Sequence, residues 1–257
     1  MKYKHAGLDV VYNELKDLKN IKAKTSFKNL KNKKFDKIKN IKLINLDFGY
    51  LKEDLLFKNF NYEFKKNEIY GIKGSSGSGK TTLIDLIASL IEPINGNILI
   101  NNEYNLKEYN NNYKSLVGYV PQSVHLFNDT IRKNIAFGIP SSEIDDNKVY
   151  ECLEKTNLLS LIRNSKKNLD KKLDYEGLNL SGGERQRLGI ARSLYKDSEV
   201  IILDEFTSSL DSTTENNIIN NLNNTAKDKI TIIVSHKTNP LKIWDKLIDL
   251  DSLQSDD

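Results

Sequence analysis

The spacing of apolar positions changes along the 257 residues, and each change predicts a different element. Leu8, Val11, Leu15 and Leu18 recur at helical spacing, and a lysine-rich stretch then breaks the pattern up to about residue 40. From Ile41 to Tyr50, and again from Phe60 to Phe64, apolar and polar residues alternate as in half-buried strands, which predicts a small antiparallel sheet. Glu68 to Lys73 predicts a short strand, Gly74 to Gly79 a glycine-rich loop, and Lys80 to Ile91 a buried helix. Further strands are expected at Asn97 to Ile100, Gly118 to Val120, Val200 to Leu203 and Ile230 to Val234. Helices are expected at Lys148 to Arg163, at Gly182 to Leu194 and after Asp211. Strands separated by helices imply a mostly parallel sheet covered on both faces, an α/β fold.

The longest mainly apolar stretch, Leu83 to Ile91, falls short of the roughly 18 residues a membrane-crossing helix needs. The N-terminus opens on Lys2, Tyr3, Lys4 and His5 without the apolar core of a secretory signal, so a cytoplasmic location is expected. Cys152 is the single cysteine, which excludes an internal disulfide and reads as a small buried hydrophobe on a helix. The net charge of +4 conceals an asymmetry, because residues 1 to 40 hold twelve Lys against Asp9, Glu14, Asp17 and Asp36. A solvated tether is the plain reading of that arm, with an anionic membrane surface second and no nucleic acid expected. The abundance of Asn, as at Asn110 to Asn112, reads as compositional bias and adds little.

Chemistry enters with Gly74-Ser75-Ser76-Gly77-Ser78-Gly79-Lys80-Thr81, followed by Thr82. Two glycines with four residues between them, then Lys and a hydroxyl residue, form the phosphate-binding loop pattern. Its backbone N–H groups and the following helix N-terminus attract phosphate; Lys80 adds a charge for the β and γ phosphates, and Thr81 a hydroxyl for Mg2+. The run Val200 to Leu203 delivers Asp204 and Glu205 at the end of a central strand, where ligand sites of such sheets form. Asp204 suits the Mg2+ shell, and Glu205 can orient or deprotonate an attacking water. Leu180-Ser181-Gly182-Gly183-Glu184-Arg185-Gln186 reads locally as a capping box opening a helix, with two bare glycines presenting N–H donors outward.

Together these motifs resemble the ABC ATPase family over roughly residues 41 to 250. The resemblance implies a P-loop core of mostly parallel sheet, an antiparallel β lobe and a helical lobe at about 123 to 196. Residues 1 to 40 are then a basic helix and linker, and 251 to 257 an acidic tail. It further implies that two cassettes pair head to tail, with Ser181, Gly182 and Gly183 of one closing over ATP held by Gly74 to Thr82 of the other. Gln122 matches the glutamine that reaches Mg2+ and the water, His236 the histidine at the γ phosphate, and Asp211 a segment crossing the interface. Tyr50 matches the aromatic ring that stacks on adenine, with Phe48 as the rival.

The segment Leu126 to Gly138 resembles exporter cassettes, where the domain receives the coupling helices of a membrane-spanning half. Residues 3 to 15 resemble the junction between that half and its cassette in flippases for lipid-linked oligosaccharides. Two departures stand out: Glu184 replaces the usual glutamine of the second motif, and Tyr175 stands where exporters carry a Glu before the glycine matching Gly177. The function implied is ATP hydrolysis powering export or flipping at the cytoplasmic face of the plasma membrane. The alternative is a soluble ABC ATPase acting on ribosomes or chromosomes, and the short distance from Lys80 to Ser181 leaves no room for a long inserted coiled coil.

Overall fold

The computed structural model describes residues 35–51, 54–163, 168–173, 180–205, 228–235 and 244–253. The helices expected at residues 8 to 18 and after Asp211 lie outside them.

The first sheet is antiparallel. Strand β1 (Asn40–Phe48) pairs with β2 (Phe57–Lys65) on one side and β4 (Asn95–Ile100) on the other, and β4 pairs with the short β5 (Tyr104–Asn105). The register of β1 against β2 shifts on either side of Leu46, and pairing ends at Phe48 opposite Phe57. Residues beyond Phe48 thereby leave the sheet beside the phosphate loop, where several of them line a cavity.

The second sheet is parallel throughout, in the order β6 (Val117–Val120), β7 (Val200–Asp204), β8 (Ile230–Val234), β3 (Glu68–Lys73), β9 (Lys246–Asp249). Its central strands are apolar without alternation because both faces are covered. Tyr70, Ile72, Val200, Ile202, Ile230, Ile232 and Val234 enter one core with the β lobe and helix α1 (Lys80–Ile87). Ile69, Ile201, Leu203 and Ile233 point the other way, into a second core with helices α3 (Ile131–Ile135), α4 (Asp146–Lys155) and α5 (Gly182–Tyr195). Each fully buried Ile or Leu contributes roughly 1.5–3 kcal/mol.

Several boundaries differ from the sequence reading. The helix expected to reach Ile91 stops at Ile87, and Ser89 follows in the left-handed region at φ 59°. The helix expected from Lys148 to Arg163 begins at Asp146 behind an Asp145 cap and breaks at Asn157, φ 54°; a separate 3-10 turn, Leu159–Ile162, follows. Helix α2 (Leu106–Leu116) runs through Asn110 to Asn112, so the asparagine run that reads as compositional bias is helical. Asn105 caps it, and Leu106, Tyr109 and Tyr113 form its buried stripe. Cys152 is buried on α4, as expected, and burial pushes its thiol up to about 11.

Candidate functional site

Strand register places the site. Ile72, Val234 and Asp204 occupy one row across β3, β8 and β7, so the phosphate loop and the carboxylates emerge at the same end of the sheet. Gly77 and Gly79 sit at φ 86° and 91°, a region L side chains rarely adopt. At Gly79 a Cβ would also come within 2.9 Å of Leu56 and Phe57 side chains. Gly79 caps α1 without a side-chain hydrogen bond, so the first-turn N–H groups of α1 lack intrahelical acceptors and suit an anion. Lys80 is buried, and its ammonium donates to the carbonyls of Gly74 (2.9 Å) and Ser75 (2.7 Å) within its own loop.

Two residues to which the sequence alone gives no role at the site support this loop and its neighbours. Asp251, assigned above to an acidic tail, lies on the short helix α6 (Leu250–Leu253). Its carboxylate accepts the Ser75 N–H (2.8 Å) and hydroxyl (2.9 Å), so the segment after β9 steadies the loop. The second is Gln186 on α5, whose Nε2 donates to the carbonyls of Gln122 (3.3 Å) and Glu205 (3.4 Å). A polar residue on the buried stripe formed with Gly183 and Ile190 was the available signal for Gln186; Asp251 carried none.

Asp204 is buried at the end of β7, 3.4 Å from the Tyr119 hydroxyl. Burial first, and then the Asp204 charge, push that phenol well above its usual value, so it stays protonated and can donate to the carboxylate. Glu205 follows at φ 48°, a left-handed conformation that costs a non-glycine residue of order 1–3 kcal/mol. Its N–H donates to Val234 O (3.1 Å), and its carboxylate accepts the Gln122 amide at 2.6 Å. The pairing of Val120 with Leu203 explains the meeting, because Gln122 and Glu205 each stand two residues further along.

A cavity of about 700 Å³ is lined by Tyr50, Leu55, Phe57, Lys80, Thr81 and Glu205, with Ser76, Gly77, Gly79 and Thr82 among its other walls. Tyr50 is 74% exposed at its rim, its hydroxyl 3.0 Å from Thr82 Oγ1, whereas Phe48 is 7% exposed in the core. On the reading of Tyr50 as the adenine-stacking ring, Tyr50→Ala is expected to weaken ATP binding by about 1–3 kcal/mol, the usual worth of base–aromatic stacking. Phe48→Ala should instead lower stability by about 3–5 kcal/mol. Nucleotide titration beside thermal melting separates the two, and equal losses of affinity would count against Tyr50 as the stacking ring.

Ser181 caps α5 with a full capping box: its hydroxyl accepts the Glu184 N–H (3.2 Å), and Glu184 accepts the Ser181 N–H (2.8 Å). Glu184 thus serves the box at the position where a glutamine was the more usual residue. The N–H groups of Gly182 and Gly183 belong to the first turn and have no intrahelical acceptors. None of Ser181, Gly182 and Gly183 lines the cavity that holds Lys80 and Glu205. Asp211, His236 and the Tyr175–Gly177 segment lie outside the described residues. On the helical lobe, Phe127 and Phe137 stack 4.6 Å apart, both about half exposed, with the Arg192 guanidinium 5.4 Å from the Phe137 ring.

A phosphate-loop sequence opening a helix, adjacent carboxylates at a parallel strand end and a second helix opened by two glycines are together the features of a nucleotide-binding P-loop ATPase domain. A family model for ABC transporters matches residues 57–208, and the chain belongs to that family. It is 35% identical over 219 residues to the ATP-dependent lipid A-core flippase of Alcanivorax borkumensis, covering 84% of this chain and 37% of that protein. It is 36% identical over 216 residues to the mitochondrial iron–sulfur clusters transporter ATM1 of Saccharomyces cerevisiae, covering 83% of this chain and 31% of that protein. Among solved structures it resembles a bacterial Atm1-family ABC exporter with ATP bound, with a TM-score of 0.75 at 29% identity over 83% of this chain and 37% of that one. The chain thus spans about a third of the length of the relatives it matches.

Proposed function

We propose that this chain is the ATP-hydrolysing cassette of an exporter, working at the cytoplasmic face of a membrane by pairing head to tail with a second cassette. One observation carries the reading: the phosphate loop, Tyr50 and Glu205 surround a single cavity, and Gln122 reaches the Glu205 carboxylate at 2.6 Å. Adenine stacks on Tyr50, the phosphates lie in the Gly74–Thr82 loop, and Lys80 exchanges its loop carbonyls for phosphate oxygens. Glu205 takes a proton from a water held by Gln122. The water oxygen bonds the γ phosphorus as the bond to the bridging oxygen breaks, and ADP leaves. His236 and Asp211 complete the site in this reading.

The Asp204 carboxylate, Thr81 hydroxyl and Gln122 side-chain carbonyl offer the oxygen donors that Mg2+ prefers, with Asp204 buried at the end of β7. Bound there, the ion would neutralise phosphate charge as the β–γ bond breaks.

Pairing is supported by the position of Ser181, Gly182 and Gly183, whose anion-facing turn is absent from the wall of the chain's own cavity. A membrane-spanning domain as partner is supported by the exporter relatives and by the exposed Phe127–Phe137 pair, since apolar surface patches mark docking sites. The relatives carry different cargoes, so likeness leaves the cargo open. The alternative of a soluble cassette acting on ribosomes finds no support among them.

Mixing tests the shared sites. Lys80→Ala and Ser181→Ala chains should each be nearly inactive, although Ser181→Ala also loses a helix cap worth about 1 kcal/mol. In a mixed pair both defects fall in one site and the other stays whole, so phosphate release should recover part of the wild-type rate. A mixture as inactive as its components would point to sites built within single chains.

A further inference from the structure

We propose that Gln186 is a positioning residue for ATP hydrolysis: its buried side-chain amide holds the backbones of Gln122 and Glu205 where their side chains meet. This rests on the reading of Glu205 as the group that takes the proton from water.

The geometry is a bridge between three distant parts of the chain. Gln186 is 2% exposed on α5, and the two N–H bonds of one Nε2 serve two carbonyls, those of Gln122 and Glu205. Those two acceptors also fix which end of the amide faces the site, because Oε1 would repel both. The left-handed backbone of Glu205 is thereby held from three sides: its N–H by β8, its carbonyl by α5 and its carboxylate by the Gln122 side chain. A strained conformation persists only where its surroundings over-determine it, and Gln186 supplies the hold on the carbonyl.

Packing alone does not account for a glutamine here. Its Oε1 is buried and has no hydrogen-bond partner among the described residues, a cost that an apolar side chain of the same length would avoid. Gln122 is exposed and Glu205 partly so, so the segments that carry them already meet water. What water cannot replace is the fixed distance between them. The same helix is capped by Ser181, about one and a half turns earlier, so the turn proposed to face the partner's nucleotide is rigidly joined to the hydrolytic pair of its own chain.

The test uses Gln186→Met, which keeps the length and loses the donor, with Gln186→Leu as a second apolar variant, in ATP-driven phosphate release and fluorescent-nucleotide titration. We expect kcat about tenfold lower, KM and nucleotide affinity within about twofold of wild type, and a melting temperature within a few degrees. In a Glu205→Gln background, Gln186→Met should slow the residual rate no further, because its effect passes through Glu205. The same tenfold loss in that background, wild-type turnover in Gln186→Met, or collapse of the thermal transition in both apolar variants would each overturn the proposal. If Glu205→Gln itself turned over at the wild-type rate, the reading of Glu205 would fall and take this inference with it. A slow Glu205→Gln beside a fast Gln186→Met would remove this inference alone.

Discussion

Glu205→Gln is expected to bind ATP, to hydrolyse it roughly 100- to 10,000-fold more slowly than wild type, and to run as a pair of chains in ATP and Mg2+. The substitution keeps the shape of the side chain, and its carbonyl oxygen can still accept the Gln122 amide. Lys80, Thr81, Asp204 and the glycine loop remain, so binding persists while the proton acceptor is lost. Pairing two free domains costs an estimated 4–15 kcal/mol in lost motion, which nucleotide gripped from both sides must offset. Hydrolysis ends that grip in wild type, which should therefore elute as a monomer. Size-exclusion chromatography beside a phosphate-release assay decides the matter. Turnover at the wild-type rate would remove Glu205 from the reaction, and a slow variant that stayed monomeric would count against the head-to-tail pair.

Lys80→Ala should lower ATP affinity by about 100-fold or more, because charge-assisted hydrogen bonds contribute about 1.5–3 kcal/mol each and a tenfold change corresponds to about 1.4 kcal/mol. The fold should survive. Ser75, Ser76 and Gly77 are exposed, so the Gly74 and Ser75 carbonyls that Lys80 now holds can turn to water. Titration with a fluorescent nucleotide checks the affinity and circular dichroism checks the fold. Unchanged affinity would sink the assignment of this loop to phosphate.

The residues that line the cavity were legible where they sit in short contiguous runs. Gly74 to Thr82 and Asp204-Glu205 each announce themselves within a few residues, and the strands that deliver them are short apolar runs of ordinary length. The meeting of Gln122 with Glu205 was not legible from spacing, since it depends on β6 lying beside β7 with Val120 opposite Leu203. Helix α2 was hidden by its asparagines, although its buried stripe of Leu106, Tyr109 and Tyr113 has helical spacing. The break after α4 depends on Asn157 adopting a left-handed backbone, which periodicity does not register. Gln186 and Asp251 act through single hydrogen-bonded contacts across the fold, and a polar residue in sequence does not reveal which distant backbone it will reach.

The strands of the parallel sheet send alternate side chains into two different cores, Ile202 to one and Leu203 to the other. Neither lobe owns its own wall. If the β lobe came apart it would strip one face of β7 and β8, and if the helical lobe came apart it would strip the opposite face of the same backbone. The two cores are thus bound to melt together, and Asp204 and Glu205, at the tip of that shared strand, are held in place only while both sides are packed.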